Sequence, residues 1–155
     1  MPSYVVLPES GRLGWTLLEL VFCLCILAVL TVYAMSAYHE HIVAVKRHEG
    51  KVALLKLMQQ QENYFTAQQA YQTWAEAPAP SPFIWYSGLS AARSAYQLQA
   101  QACAGEAATR CIELHAVPGA KSVDQHFSDP VCGQLLLDSR GKHSYSGHGS
   151  RQQCW

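Results

Sequence analysis

Residues Leu20 to Tyr38 carry no formal charge and almost all are apolar, and no other stretch so limits what this chain can become. As an α-helix these 19 residues would reach roughly 28 Å at about 1.5 Å per residue, close to the hydrocarbon thickness of a bilayer. A cleaved secretory signal fits poorly, because the run is long for an h-region and Ala34-Met35-Ser36 is a weak small-x-small cleavage site. A lipoprotein signal needs small residues before its modified cysteine, whereas Phe22 precedes Cys23 and Leu24 precedes Cys25. Two residues apart on a helix, Cys23 and Cys25 point about 200° from each other, so they cannot bond together and act as small buried hydrophobes.

One carboxylate stands at the mouth of this run, in Gly14-Trp15-Thr16-Leu17-Leu18-Glu19-Leu20. An ionised glutamate at depth in lipid costs on the order of 3 kcal/mol unless it is paired, so its presence calls for a function. The segment resembles the processing site of type IV prepilins: a glycine, an aromatic residue, Thr-Leu-x-Glu-Leu, then about twenty apolar residues. That resemblance implies cleavage between Gly14 and Trp15 by a membrane prepilin peptidase, and N-methylation of Trp15. It also implies that Glu19, five residues into the mature chain, pairs with the terminal ammonium of a neighbouring subunit during assembly. Two charges that are costly alone in lipid become tolerable as a pair. Trp15 replaces the usual phenylalanine, and Glu9 accompanies Arg12 in the leader. Ser36 stands where the family usually has a helix-bending proline, so the backbone ladder need not break there.

From His39 to about Gln72 there is no proline. Leu54, Met58 and Phe65 fall on one helical face with Gly50 and Gln61 between them, and Val45, Val52 and Leu55 are expected to broaden it. An amphipathic helix continuing the membrane segment is predicted, with its stripe packed on a core. The prolines of Ala77-Pro-Ala-Pro-Ser-Pro82 end it, and Phe83, Ile84, Trp85 and Tyr86 belong to the connecting loop. Tyr96–Ala102 and Cys111–Val117 alternate large or apolar with polar residues, predicting one antiparallel hairpin; Gln134–Asp138 and Lys142–Ser146 predict a second.

Four cysteines in this polar half, Cys103, Cys111, Cys132 and Cys154, indicate disulfides and hence a periplasmic or extracellular setting. Three pairings exist. Cys103 and Cys111 flank the first hairpin turn, where cross-strand side chains lie about 5 Å apart; Cys132 and Cys154 enclose the second hairpin. The expected pairing is therefore Cys103 with Cys111 and Cys132 with Cys154.

Gln60–Thr66, Tyr96–Ala100, Cys132–Gly141 and Cys154-Trp155 resemble the corresponding blocks of PilE-like minor pilins. The expected fold is α+β: a long N-terminal helix, half membrane-spanning and half amphipathic, packed on a small antiparallel sheet with a disulfide-closed C-terminal region. The expected organisation is a leader over 1–14, a transmembrane and assembly helix over 15–38, and a globular domain over 39–155. The resemblance implies a structural subunit of a type IV pilus serving biogenesis, adhesion or motility. Its partners would be other pilins, the prepilin peptidase, the assembly platform and the membrane. It would sit in a bacterial inner membrane and then in the extracellular fibre.

Eleven basic and eleven acidic residues cancel, so no global field draws the chain to nucleic acid. A local strip for DNA uptake is the competing reading. Arg110, Lys121, Arg140, Lys142 and Arg151 are its candidates, but Glu106, Glu113, Asp124, Asp129 and Asp138 are interleaved with them, favouring scattered, solvated charges. A type II secretion pseudopilin shares the N-terminal pattern, but its major form commonly lacks disulfides. His39 with His41, and His143 with His148, lack ligand spacing on a predicted element, so neither metal nor other cofactor is expected. No nucleophile stands beside a base, and no catalytic residue is assigned.

Overall fold

The structure, a computed structural model, describes residues 16–76 and 81–155, the side chains of residues 36 and 37 excepted. Its first element, α1, is a 52-residue helix over Leu17–Gln68. Thr16 caps it, its Oγ1 accepting the Glu19 backbone N–H at 3.2 Å, which satisfies one orphan donor of the first turn. No proline interrupts these residues, and helical backbone runs on through Ser36. The helix stops where Gln69 turns to φ 56° and donates its N–H to Phe65 O at 2.8 Å, a left-handed C-terminal cap.

Internal contacts divide the chain into two units, one ending at His39 and one comprising Glu40–Trp155. In the second unit the sheet is an antiparallel meander in the order β1-β2-β3-β4: β1 Tyr96–Ala102, β2 Ile112–Pro118, β3 Leu135–Asp138 and β4 His143–Tyr145. Both hairpins fall where the alternation places them. Tyr96, Leu98, Ala100, Ile112, Leu114, Ala116, Leu135 and Leu137 point to one face, and the helix lays Ala53, Leu54 and Leu57 into the same core. Gly50 lets the helix approach closely, since a Cβ there would stand 3.0 Å from the Tyr96 ring.

The expected apolar stripe needs one correction. Val45, Val52 and Leu55 are 43%, 37% and 54% exposed, on the side of α1 away from the sheet, and Ala53 and Leu57 fill the inward face instead. Gln61 is fully buried because its amide donates to Gln72 O at 2.7 Å and accepts Gln72 N–H at 3.0 Å. Gln60 likewise accepts the Ile84 N–H. Both side chains supply partners to the backbone of the long loop before β1.

The sheet's two edges are closed by different means. Along β1, backbone bridges pair Trp74 with Ala100 and Tyr86 with Gln97. At β4, the Trp155 indole N–H donates to Ser144 O at 2.8 Å, and its ring stacks on His143 at 4.4 Å. A sealed edge cannot template pairing with another chain.

Candidate assembly helix and nucleic-acid surface

Glu19 lies in the first turn of α1, three residues beyond its Thr16 cap, where the positive end of the helix dipole favours a carboxylate. Gly14 and Trp15 lie outside the described residues. The helix is long and apolar enough to cross a membrane, and none of its apolar window is buried within the chain. Leu17, Leu18, Phe22, Leu27, Leu30 and Tyr33 are all exposed, a surface that requires lipid or neighbouring helices. Cys23 is half-buried and Cys25 is exposed, not buried within the chain as expected, because the apolar half of α1 has no other part of the chain packed on it; neither is in a disulfide.

The second unit is held by a buried polar centre that the sequence patterns did not reveal. Arg47 donates through Nε and Nη2 to the two Asp129 carboxylate oxygens, both at 2.7 Å. The Tyr96 hydroxyl donates to Asp129 at 2.8 Å, the Cys132 N–H at 3.0 Å, and Arg47 also reaches Gln153 O at 3.3 Å. Burial alone would raise the Asp129 carboxyl, but the hydrogen bonds from Arg47, Cys132 and Tyr96 outweigh it and hold the group below its ordinary value. Burial, reinforced by Asp129, pushes the Tyr96 phenol far up.

Two disulfides close the second unit, one beside this centre and one at the other end of β1. Cys132 is joined to Cys154 and Cys103 to Cys111, with Cα separations of 5.5 and 5.4 Å. The first ties the short helix α2, Arg151–Cys154, to the loop before β3. The second closes the β1–β2 loop.

Strand polarity sorts the five candidate cations into two groups. The β1–β2 loop and the β3–β4 turn emerge at the same end of the sheet, so Arg110, Arg140 and Lys142 lie together, all exposed. Lys121, in the β2–β3 loop, and Arg151, in α2, belong to the opposite end. The two adjoining loops are fixed to each other. Ser139 N–H donates to Ile112 O at 2.9 Å, and the Ser139 hydroxyl accepts the Ile112 N–H at 3.3 Å. Arg140 Nη2 contacts both Glu106 carboxylate oxygens at 2.7 and 2.6 Å. Asp138 Oδ1 accepts the N–H groups of Arg140 and Lys142 at 3.0 and 2.7 Å, and Gly141 takes φ +77° to complete the turn. Among the described residues no group of His, Cys, Asp and Glu could hold a metal ion.

A helix fit to span a bilayer, continuing as the spine of a disulfide-closed antiparallel meander, defines the type IV pilin class of subunit. A sequence model of one family, described as type IV minor pilin ComP, DNA uptake sequence receptor, matches residues 36–136. The chain belongs to that family and is a minor pilin, a subunit that assembles with other pilins. Similar solved structures include a type IV pilin from Shewanella oneidensis, 22% identical, covering 73% of this chain and 97% of that one with a TM-score of 0.45. Another is the non-core minor pilin PilV of Neisseria meningitidis, 17% identical over 74% of this chain and 94% of that one, TM-score 0.44. No curated protein sequence matches the chain.

Proposed function

We propose that this chain is a DNA-receptor minor pilin, presenting the loop end of its sheet to duplex DNA while its N-terminal helix joins the fibre. The observation that carries the reading is the family match, to a DNA uptake sequence receptor, across residues 36–136. Arg110, Arg140 and Lys142 are the phosphate contacts, positioning the duplex without reading its sequence.

Three such contacts predict that the logarithm of the binding constant falls with the logarithm of salt concentration at a slope of about −3. Binding of the detergent-solubilised full chain to a fluorescent duplex, from low to physiological salt, measures it. Arg110→Ala, Arg140→Ala and Lys142→Ala should each weaken binding to any duplex and flatten the slope by about 1. Lys121→Ala with Arg151→Ala, at the other end, should leave the slope unchanged. A slope carried by the latter pair would overturn the assignment.

In the same reading, residues 1–14 are a leader removed between Gly14 and Trp15 by prepilin peptidase, and Trp15 becomes the methylated N-terminus. Residues 15–38 hold the chain in the inner membrane and then in the fibre, through the pilus assembly platform, and 39–155 form the globular domain outside. Glu19 pairs with the Trp15 ammonium of an adjacent subunit. Glu19→Ala is then expected to reduce recovery in sheared pili by at least roughly tenfold, because an ammonium left unpaired in lipid costs on the order of 3 kcal/mol. The helix-terminal contribution lost with it is smaller, about 0.3–1 kcal/mol. Immunoblots of sheared pili against membranes, with the intact mass of the recovered protein, check both points. Equal incorporation of the variant, or a mature mass that does not begin at Trp15, would contradict the reading.

A further inference from the structure

Arg140 is not a free cation in this structure. Its guanidinium is engaged by both oxygens of the Glu106 carboxylate, across 34 residues of chain and from the neighbouring loop. The pair is solvent-accessible, with side-chain exposures of 61% and 28%, so an incoming anion can reach Arg140 by displacing Glu106. Both contacts come from one guanidinium nitrogen, Nη2, a charge-assisted contact that a phosphodiester, with two charged oxygens on one centre, matches as an acceptor. Glu106 is held in place to do this. Its N–H donates to Cys103 O at 3.0 Å within the loop that the Cys103–Cys111 disulfide closes, and Ser139 docks the opposing turn onto the base of that loop. Arg110 and Lys142, by contrast, make no side-chain ion pair among the described residues.

We propose that Glu106 is a built-in stand-in for a DNA phosphate: it occupies Arg140 in the free pilin, and duplex binding exchanges its carboxylate for a backbone phosphate. The inference rests on the DNA-receptor reading and adds a regulatory residue to that site. Opening the Glu106 pair before Arg140 can take a phosphate lowers affinity for any duplex. Only a duplex seated well enough to engage the other contacts repays that opening. Glu106 therefore restrains non-specific capture, which is the electrostatic part of binding.

The test is a double-mutant cycle on the full chain in detergent, using Glu106→Gln, Arg140→Ala and the two combined, titrated with a random-sequence duplex at several salt concentrations. Glu106→Gln should tighten binding roughly three- to fivefold, the scale of one exposed ion pair. In the Arg140→Ala background the same change should have little effect. A gain of equal size in both backgrounds would mean that Glu106 acts only through net charge and would overturn the proposal, while wild-type binding left the DNA-receptor reading standing. Absence of duplex binding by every form, Glu106→Gln included, would overturn both. Coupling seen with vesicles of anionic phospholipid but not with duplex would assign the surface to membranes and also sink the proposal. A non-reducing peptide map of each variant verifies that both disulfides have formed.

Discussion

Asp129→Ala is expected to destabilise the globular unit by about 3–5 kcal/mol, the scale for removing one partner of a buried ion pair. The carboxylate is the common acceptor for Arg47, the Tyr96 hydroxyl and the Cys132 N–H, so its loss strands a buried cation and two neutral donors together. The pair need not be strongly stabilising in itself for this to hold. Arg47→Met combined with Asp129→Asn removes both charges, keeps an apolar stem in the helix face, and leaves an amide whose oxygen accepts the Cys132 N–H while its NH2 donates to the Tyr96 hydroxyl oxygen. That double variant is expected to recover more than half of the loss. Urea unfolding of the oxidised protein, followed by near-ultraviolet circular dichroism, measures both. Equal damage in the single and double variants would show that the charge of Arg47 is not what Asp129 compensates.

The same centre sets a pH dependence. Because the folded state holds the Asp129 carboxyl below its ordinary value, the unfolded chain binds a proton first as pH falls. The resulting stability is fully present above the ordinary aspartate range, near pH 4, and drains away as pH falls through the lower folded value. Asp129→Asn should remove that part of the acid slope while leaving the neutral region flat.

Replacing Cys132 and Cys154 together with serine is expected to cost about 3 kcal/mol, and roughly 10 °C in melting temperature for a unit of this size. Their sequence separation of 22 leaves the unfolded chain a substantial loop to close. Both cysteines are fully buried, and the bond anchors α2, from which Trp155 seals the β4 edge. The Cys103→Ser, Cys111→Ser pair closes a separation of only 8, so its loss should cost less, about 2.5 kcal/mol. Thermal unfolding of the two double variants side by side decides the order. Hydrogen exchange should show added loss of protection along β4 only when Cys132 and Cys154 are replaced.

Local pattern alone carried much of this structure. A strand turns successive side chains to opposite faces whatever its partner, so the alternation in Tyr96–Ala102 and Leu135–Asp138 marks strands before any sheet exists. A proline-free run of good helix formers likewise needs no tertiary context to be helical, although the helix ends at Gln68, at the left-handed Gln69, short of Gln72 and of the prolines expected to end it; Glu19 at the mouth of an uncharged run is conspicuous by chemistry alone. The tertiary structure decided which face of α1 is inside. Apolar residues occupy both sides of that helix, and only the position of the sheet selects Ala53, Leu54 and Leu57 over Val45, Val52 and Leu55. It also decided the polar pairings. Arg47 and Asp129 are 82 residues apart and Glu106 and Arg140 are 34 apart; no periodicity links positions so distant. The grouping of Arg110 with Arg140 and Lys142, and the separation of Lys121 and Arg151 from them, follow from strand direction. Periodicity says that a residue lies on a face, whereas the meander's antiparallel order determines which loops share an end, and charges act through distance in space.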